Sequence, residues 1–130
     1  MQILGTGIDL VENTRIAASL EKFGDRFLHR IFTEGEIAYC AAMPHPVAHY
    51  AARFAAKEAI SKAFGTGIGK ALGWRDIEVV RAESGAPSVI LHGNGAALAA
   101  ERGATQVFIS LTHTDTHAAA SAILFGGDRG

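Results

Sequence analysis

One cysteine, Cys40, stands in the entire chain, so no disulfide can close within it and no thiolate cluster can hold a metal. No stretch approaches the roughly 20 apolar residues that a membrane-spanning helix needs. The opening, Met1 to Val11, has no basic leader, and Asp9 interrupts its only apolar run, which excludes a secretory signal of the usual kind. The cytoplasm is therefore the expected location. Excess charge of either sign is also missing. With a formal net charge of -1 the chain has no global attraction for nucleic acid or an anionic membrane. An acidic partner would have to meet a local basic patch.

What is present fits a single domain spanning residues 1–130, since 130 residues leave little room for a second core. A hydrophobic content of 48% is enough to build that core. Fifteen glycines are many for this length, and their clustering suggests tight turns or close backbone approach.

The opening ILGTGIDLV reads as a buried strand carrying one carboxylate, Asp9. Asn13 or Thr14 is then placed to cap a helix with Ile16, Leu20, Phe23 and Phe27 at helical spacing. In FTEGEI, Thr33 and Glu36 match a capping box, and Phe32 and Ile37 a hydrophobic staple. That spacing predicts a helix from Thr33 to about Met43, before Pro44 and Pro46. The longest helix is expected over about 47–64. Its residues Ala52, Ala56, Ala59 and Ala63 form one narrow stripe that would admit another backbone at unusually short range. Gly65 suits a left-handed cap. Beyond it, Trp74 to Arg81 alternates as a half-exposed strand and returns through a turn at Glu83 to Pro87 into a strand over Ser88 to His92. An alanine-rich helix follows from Gly93 to Arg102, then a closing hairpin of Gln106 to Thr112 and Ala118 to Phe125 around HTDT. The order β-α-α-α-β-β-α-β-β is an α+β class, with a mixed sheet packed on the long helix. Gly126 to Gly130 reads as a frayed tail.

Asp9 is the most conspicuous polar residue, because an unpaired carboxylate in an apolar strand costs several kcal/mol. An arginine salt bridge would compensate it. So would a metal shared with a second carboxylate, and Asp with Glu and no thiolate suits Mg²⁺. Glu58, Ser61 and Lys62 share a sector of about 100° on the long helix, with Phe54 among them. Glu58 and Lys62 also form an ordinary i,i+4 surface pair. Against that reading, Arg53 and Lys57 show that polar groups are not confined to one exposed face. The helix also runs into a glycine cluster where a phosphate could approach main-chain N–H groups.

GTGIGK is not a P-loop, because Phe64 stands where the first glycine is required and a helix precedes it. In HTDTH, an extended chain would turn His113, Asp115 and His117 to one side as a transition-metal site. A hairpin turn would break that row and leave His113 as a phosphate or ribose contact. His29, His45, His49 and His92 have no partners at telling spacings. Arg15, Lys22, Arg26 and Arg30 concentrate positive charge on the first helix, and the first three share a face. That face is either simply solvated or a docking surface for an acidic protein.

Taken in order, GIDLVENTRI, RIFTEGEIAYC, ARFAAKEAISKAFGTGIG, WRDIEVV, GAPSVILHG and SLTHTDTHAAASAIL resemble the holo-acyl-carrier-protein synthases, the small stand-alone class of 4'-phosphopantetheinyl transferases. The resemblance spans nearly the whole chain. It implies an α+β transferase that assembles as a homotrimer with interfacial active sites, acting on coenzyme A and apo acyl carrier protein. It further implies that Asp9 and Glu58 hold Mg²⁺ against the coenzyme A pyrophosphate, with Lys62 near the leaving 3',5'-ADP. Ser61, Gly65 and His113 match positions that contact coenzyme A, and Arg15 and Arg26 match the helix that docks the carrier. Thr112 departs from the serine common in the SxSH segment. Two other classes stay open on the residues themselves: a metal-dependent hydrolase built on His113, Asp115 and His117, and a non-catalytic module binding an acidic partner through the first helix.

Overall fold

The structure is a computed structural model and describes residues 1–127. Strand β1 (Gln2–Glu12) leads into helices α1 (Asn13–Phe23), α2 (Asp25–Ile31), α3 (Glu34–Ala41) and α4 (Pro46–Phe64). After a 3-10 turn at Trp74–Asp76 come β2 (Ile77–Arg81), β3 (Pro87–Leu91), α5 (Gly93–Arg102), β4 (Ala104–His113) and β5 (His117–Gly126). The strands form a three-stranded sheet in the order β1-β5-β4 and a separate hairpin of β2 and β3. The α+β class stands. Strand direction does not follow the expected mixed pattern, because every pairing is antiparallel. Each β5 neighbour is reached by a hairpin or a return of the chain, not by a βαβ crossover.

Helix α4 is the axis of the core, and Ala52, Ala56, Ala59 and Ala63 on it are all buried. The stripe receives the backbone of β1. A Cβ placed at Gly5 would stand 1.9 Å from the carbonyl oxygen of Ala63, and one at Gly7 would stand 1.9 Å from that of Ala59. No side chain fits either place, so alanines on the helix and glycines on the strand together set the distance between the two elements. Asp9 continues the same face of the strand by two-residue alternation.

The opposite face of β1 is not buried, contrary to the expectation. Ile3, Ile8 and Leu10 are 61%, 70% and 65% exposed, because α4 covers one side of the sheet only. The first helix also differs. Gly24 at φ 55 breaks it between Phe23 and Asp25. Its N-cap is Glu12, with no side-chain cap. Asn13 instead donates from Nδ2 to the Thr114 carbonyl at 3.0 Å, pinning the start of α1 to the β4–β5 turn.

The Thr33–Glu36 capping box forms in both directions, and Glu36 does more than cap. Its Oε1 accepts from Thr33 N–H at 2.8 Å and from Lys57 Nζ at 2.7 Å, while Oε2 accepts from Val79 N–H at 2.8 Å. Lys57 also donates to the carbonyls of Trp74 and Ile77. Both side chains of this pair are fully buried, and burial, opposed by Glu36, lowers the Lys57 pKa. A charged pair is tolerable there because every donor and acceptor is met. Residues Trp74 to Asp76 form the 3-10 turn and not the first part of a strand. Of the expected frayed tail, Gly126 is a paired β5 residue, opposite Gln2 and Ala104, and residues 128–130 lie outside the described chain.

Candidate active site

Where β1 meets α4, the packing brings Asp9, Glu58 and Lys62 together. Asp9 faces the helix and is 17% exposed. Lys62 Nζ lies 3.0 Å from Asp9 Oδ1 and 2.9 Å from the Ile8 carbonyl oxygen, which makes it the partner of this half-buried carboxylate. Glu58 is half-buried one turn earlier on α4. Its pKa is raised, first by loss of hydration and second by the negative charge of Asp9, while Lys62 and Arg15 pull it down. Two carboxylates that repel one another, both accessible in part, make a place where a cation is favoured.

Ser61 is not on the surface of this site. It is fully buried, and its hydroxyl donates to the Glu58 carbonyl at 2.7 Å. Its own carbonyl accepts from the N–H groups of Thr66 and Gly67, each at 3.2 Å. Ser61 therefore shapes the end of α4. Gly65, at φ 79 and ψ 5, provides the expected left-handed cap and exposes its backbone with nothing within 4 Å of a Cβ position.

His113 is elsewhere. It ends β4 and lines a cavity of about 280 Å³ with Tyr39, His49, Arg53 and Arg81, and neither Asp9, Glu58 nor Lys62 lines that cavity. The His49 and His113 rings meet edge-on at 5.4 Å. Burial lowers the His49 pKa, and the charges of His113, Arg53 and Arg81 lower it further. Arg53 is 5% exposed, lies 4.2 Å over the Tyr39 ring, and has a buried Nε with no hydrogen-bond partner among the described residues. Two arginines and two histidines around one hollow suit an anion. Spacing revealed neither Arg81 nor Tyr39, because they come from separate elements. His49 and His92 both have specific neighbours that spacing does not show; His92 Nε2 lies 2.8 Å from Glu78 Oε1.

The row of His113, Asp115 and His117 that an extended chain would make does not form, because this segment is the expected hairpin turn between β4 and β5. Thr114 N–H donates to the His117 carbonyl at 2.7 Å, closing the turn between β4 and β5. Among the described residues no group of three His, Cys, Asp or Glu side chains converges as a metal site, so the hydrolase alternative loses its ligand set. The basic face of the first helix is rearranged by the break at Gly24. Arg15, Arg26 and Arg30 surround a cavity of about 340 Å³ that Lys22 does not line. Its floor is Phe54 stacked on Trp74 at 4.9 Å, with the Arg15 guanidinium 5.2 Å above Phe54. A larger hollow of about 560 Å³ between α5, β3 and β4 carries no ionisable side chain in its lining.

The sequence profile of the 4'-phosphopantetheinyl transferase superfamily matches residues 5–122. The chain belongs to this superfamily. The matched span includes both carboxylates, Lys62 and His113. A holo-[acyl-carrier-protein] synthase of Koribacter versatilis is 50% identical over 122 residues, covering 94% of this chain and 98% of that protein. The crystal structure of the corresponding synthase from Neisseria meningitidis superposes with a TM-score of 0.90 at 33% identity, over 95% of this chain and 99% of that one. The Helicobacter pylori synthase, solved in complex with coenzyme A, superposes with a TM-score of 0.83 at 30% identity, over 92% and 99%.

Proposed function

We propose that this chain transfers the 4'-phosphopantetheine group of coenzyme A to a serine of apo acyl carrier protein, releasing adenosine 3',5'-bisphosphate, with Mg²⁺ required. The observation that carries this reading is the meeting of Asp9, Glu58 and Lys62 at one joint in a chain of this superfamily. The full-length similarity to a holo-[acyl-carrier-protein] synthase and the likeness to a synthase solved with coenzyme A support the substrate pair.

The donor set fits a hard dication. Mg²⁺ is held by one or two carboxylates together with substrate phosphates, and keeps several waters. Asp9 and Glu58 would hold it, and a cation there would offset both the lost hydration and the Asp9 charge that raise the Glu58 pKa. When bound, it supplies polarisation of the phosphoryl group and neutralisation of developing charge. The serine hydroxyl oxygen forms a bond to the β-phosphorus and gives up its proton to solvent as the bond from that phosphorus to the bridging oxygen breaks. The electron pair leaves with 3',5'-ADP. Lys62 contributes positive charge beside the diphosphate, and positioning with charge neutralisation carries most of the acceleration in such transfers. Ser61 and Gly65 act through the backbone turn they build. His113, with Arg53 and Arg81, fits an anionic group of the coenzyme. Arg15 and Arg26 fit an acidic helix of the carrier, whose approach they would steer.

A single chain leaves His113 apart from the carboxylates, and the outer sheet face exposes Ile8, Leu10 and Phe108. We therefore read the site as shared between subunits of a homotrimer. Sedimentation equilibrium is expected to return the mass of three chains, and a monomer at micromolar concentration would remove this part of the reading. Among the described residues no helix is long and apolar enough to cross a membrane. A cytoplasmic location belongs to the same reading and is checked by cell fractionation.

The test is mass spectrometry of apo carrier protein incubated with coenzyme A and Mg²⁺. A gain of one phosphopantetheine is expected; an unchanged carrier mass refutes the function. In the same assay R15A and R26A are expected to raise KM for the carrier and spare kcat. Unchanged KM in both would take the docking role from this helix.

A further inference from the structure

Lys62 holds the carboxylate that the metal needs. Its ammonium donates to Asp9 Oδ1 at 3.0 Å and to the Ile8 carbonyl at 2.9 Å, so one charged and one neutral oxygen grip it on β1. The Lys62 side chain is 49% exposed. Ion pairs with so much access to water are weak, and lysine is a compact charge on a flexible stem that can reach more than one anion. The contact is strong enough to occupy Asp9 and weak enough to yield.

We propose that Lys62 is a displaceable counter-ion for Asp9, expelled when a divalent cation binds and then free to pair with the diphosphate of coenzyme A. The inference rests on Asp9 and Glu58 being the metal pair. It gives the site a coupling. A dication arriving alone must evict the ammonium and leave it without an anion. One arriving with coenzyme A leaves the ammonium a new partner, so each ligand tightens the other by the same factor. The device favours loading of metal and coenzyme together.

Mn²⁺ serves as the probe, with free ion followed by electron paramagnetic resonance, on the full-length wild type and on K62Q, R15Q and D9N. Without coenzyme A, K62Q is expected to bind Mn²⁺ about two- to fivefold more tightly than wild type, the scale of an exposed ion pair. R15Q is the control for the field. Arg15 also acts on Glu58, yet makes no ion pair with Asp9 among the described residues, so its loss is expected to change affinity by less than about twofold. Coenzyme A is expected to tighten Mn²⁺ in wild type by a larger factor than in K62Q.

Displacement is overturned if K62Q binds Mn²⁺ no more tightly than wild type, or not at all. It is equally overturned if R15Q matches K62Q, since the effect is then only the loss of a nearby charge. D9N separates the two claims. Weakened Mn²⁺ binding in D9N with unchanged binding in K62Q leaves the metal pair standing and removes the displacement. Undiminished binding in D9N removes the metal pair itself.

Discussion

Alanine at Asp9 or at Glu58 is expected to slow phosphopantetheine transfer by at least about 10²–10³-fold, the cost of removing one preorganised electrostatic group. The two variants should agree because each takes away half of one cation site. Neither carboxylate holds the fold together. Asp9 has one side-chain partner among the described residues, the half-exposed Lys62, and Glu58 makes no ion pair among them, so stability should change by no more than about 1 kcal/mol. The carrier mass shift, followed in time with excess coenzyme A and Mg²⁺, measures the rate, and a thermal melt checks the fold. Transfer at the wild-type rate in both variants would end the metal assignment.

The second large effect concerns stability. Lys57→Met is expected to cost about 3–5 kcal/mol, because it leaves the Glu36 carboxylate buried without its counter-charge. Three acceptors lose the Lys57 ammonium at once: Glu36 Oε1, which keeps only the neutral Thr33 N–H, and the carbonyls of Trp74 and Ile77. Methionine fills most of the volume, so the loss is electrostatic and not a cavity. Adding Glu36→Gln should return part of the loss, since the remaining amide carries no net charge. Denaturant unfolding at fixed chain concentration reads both values, and fixing it matters because assembly adds to apparent stability. Wild type should unfold in one cooperative step if residues 1–130 act as one domain. A Lys57→Met chain as stable as wild type would show that the pair contributes nothing.

These two sites differ in how far they could be read along the chain. Asp9 is legible because an acid in an apolar strand needs a partner, and the structure supplies one in Lys62. Lys57 carries no comparable signal in the sequence. It stands beside Glu58 in ARFAAKEAISK, and helical spacing shows only that it points away from the alanine stripe. Its partner Glu36 read as a cap, which it is; that the same carboxylate also bonds Val79 N–H depends on where β2 comes to rest.

The basic helix shows the same limit. Seven- and four-residue spacing grouped Arg15, Lys22 and Arg26, but Gly24 ends α1 and the turn brings Arg30 to the cavity in place of Lys22. Ser61 matched a coenzyme position by resemblance, yet its side chain is sealed inside.

What this chain's sequence decided unaided is local. The capping box at Thr33, the left-handed turn at Gly65 and the glycine and alanine faces that let β1 settle on α4 follow from steric and hydrogen-bonding rules acting within a few residues. The grouping of distant charges was decided by tertiary packing alone. Lys62 on Asp9, Lys57 on Glu36 and Arg53 beside His113 are set by the angle and distance at which whole elements pack, and no short window of sequence contains that information. Long-range polar contacts have no period. They form where the apolar surfaces, in burying themselves, bring charges together that must then be satisfied.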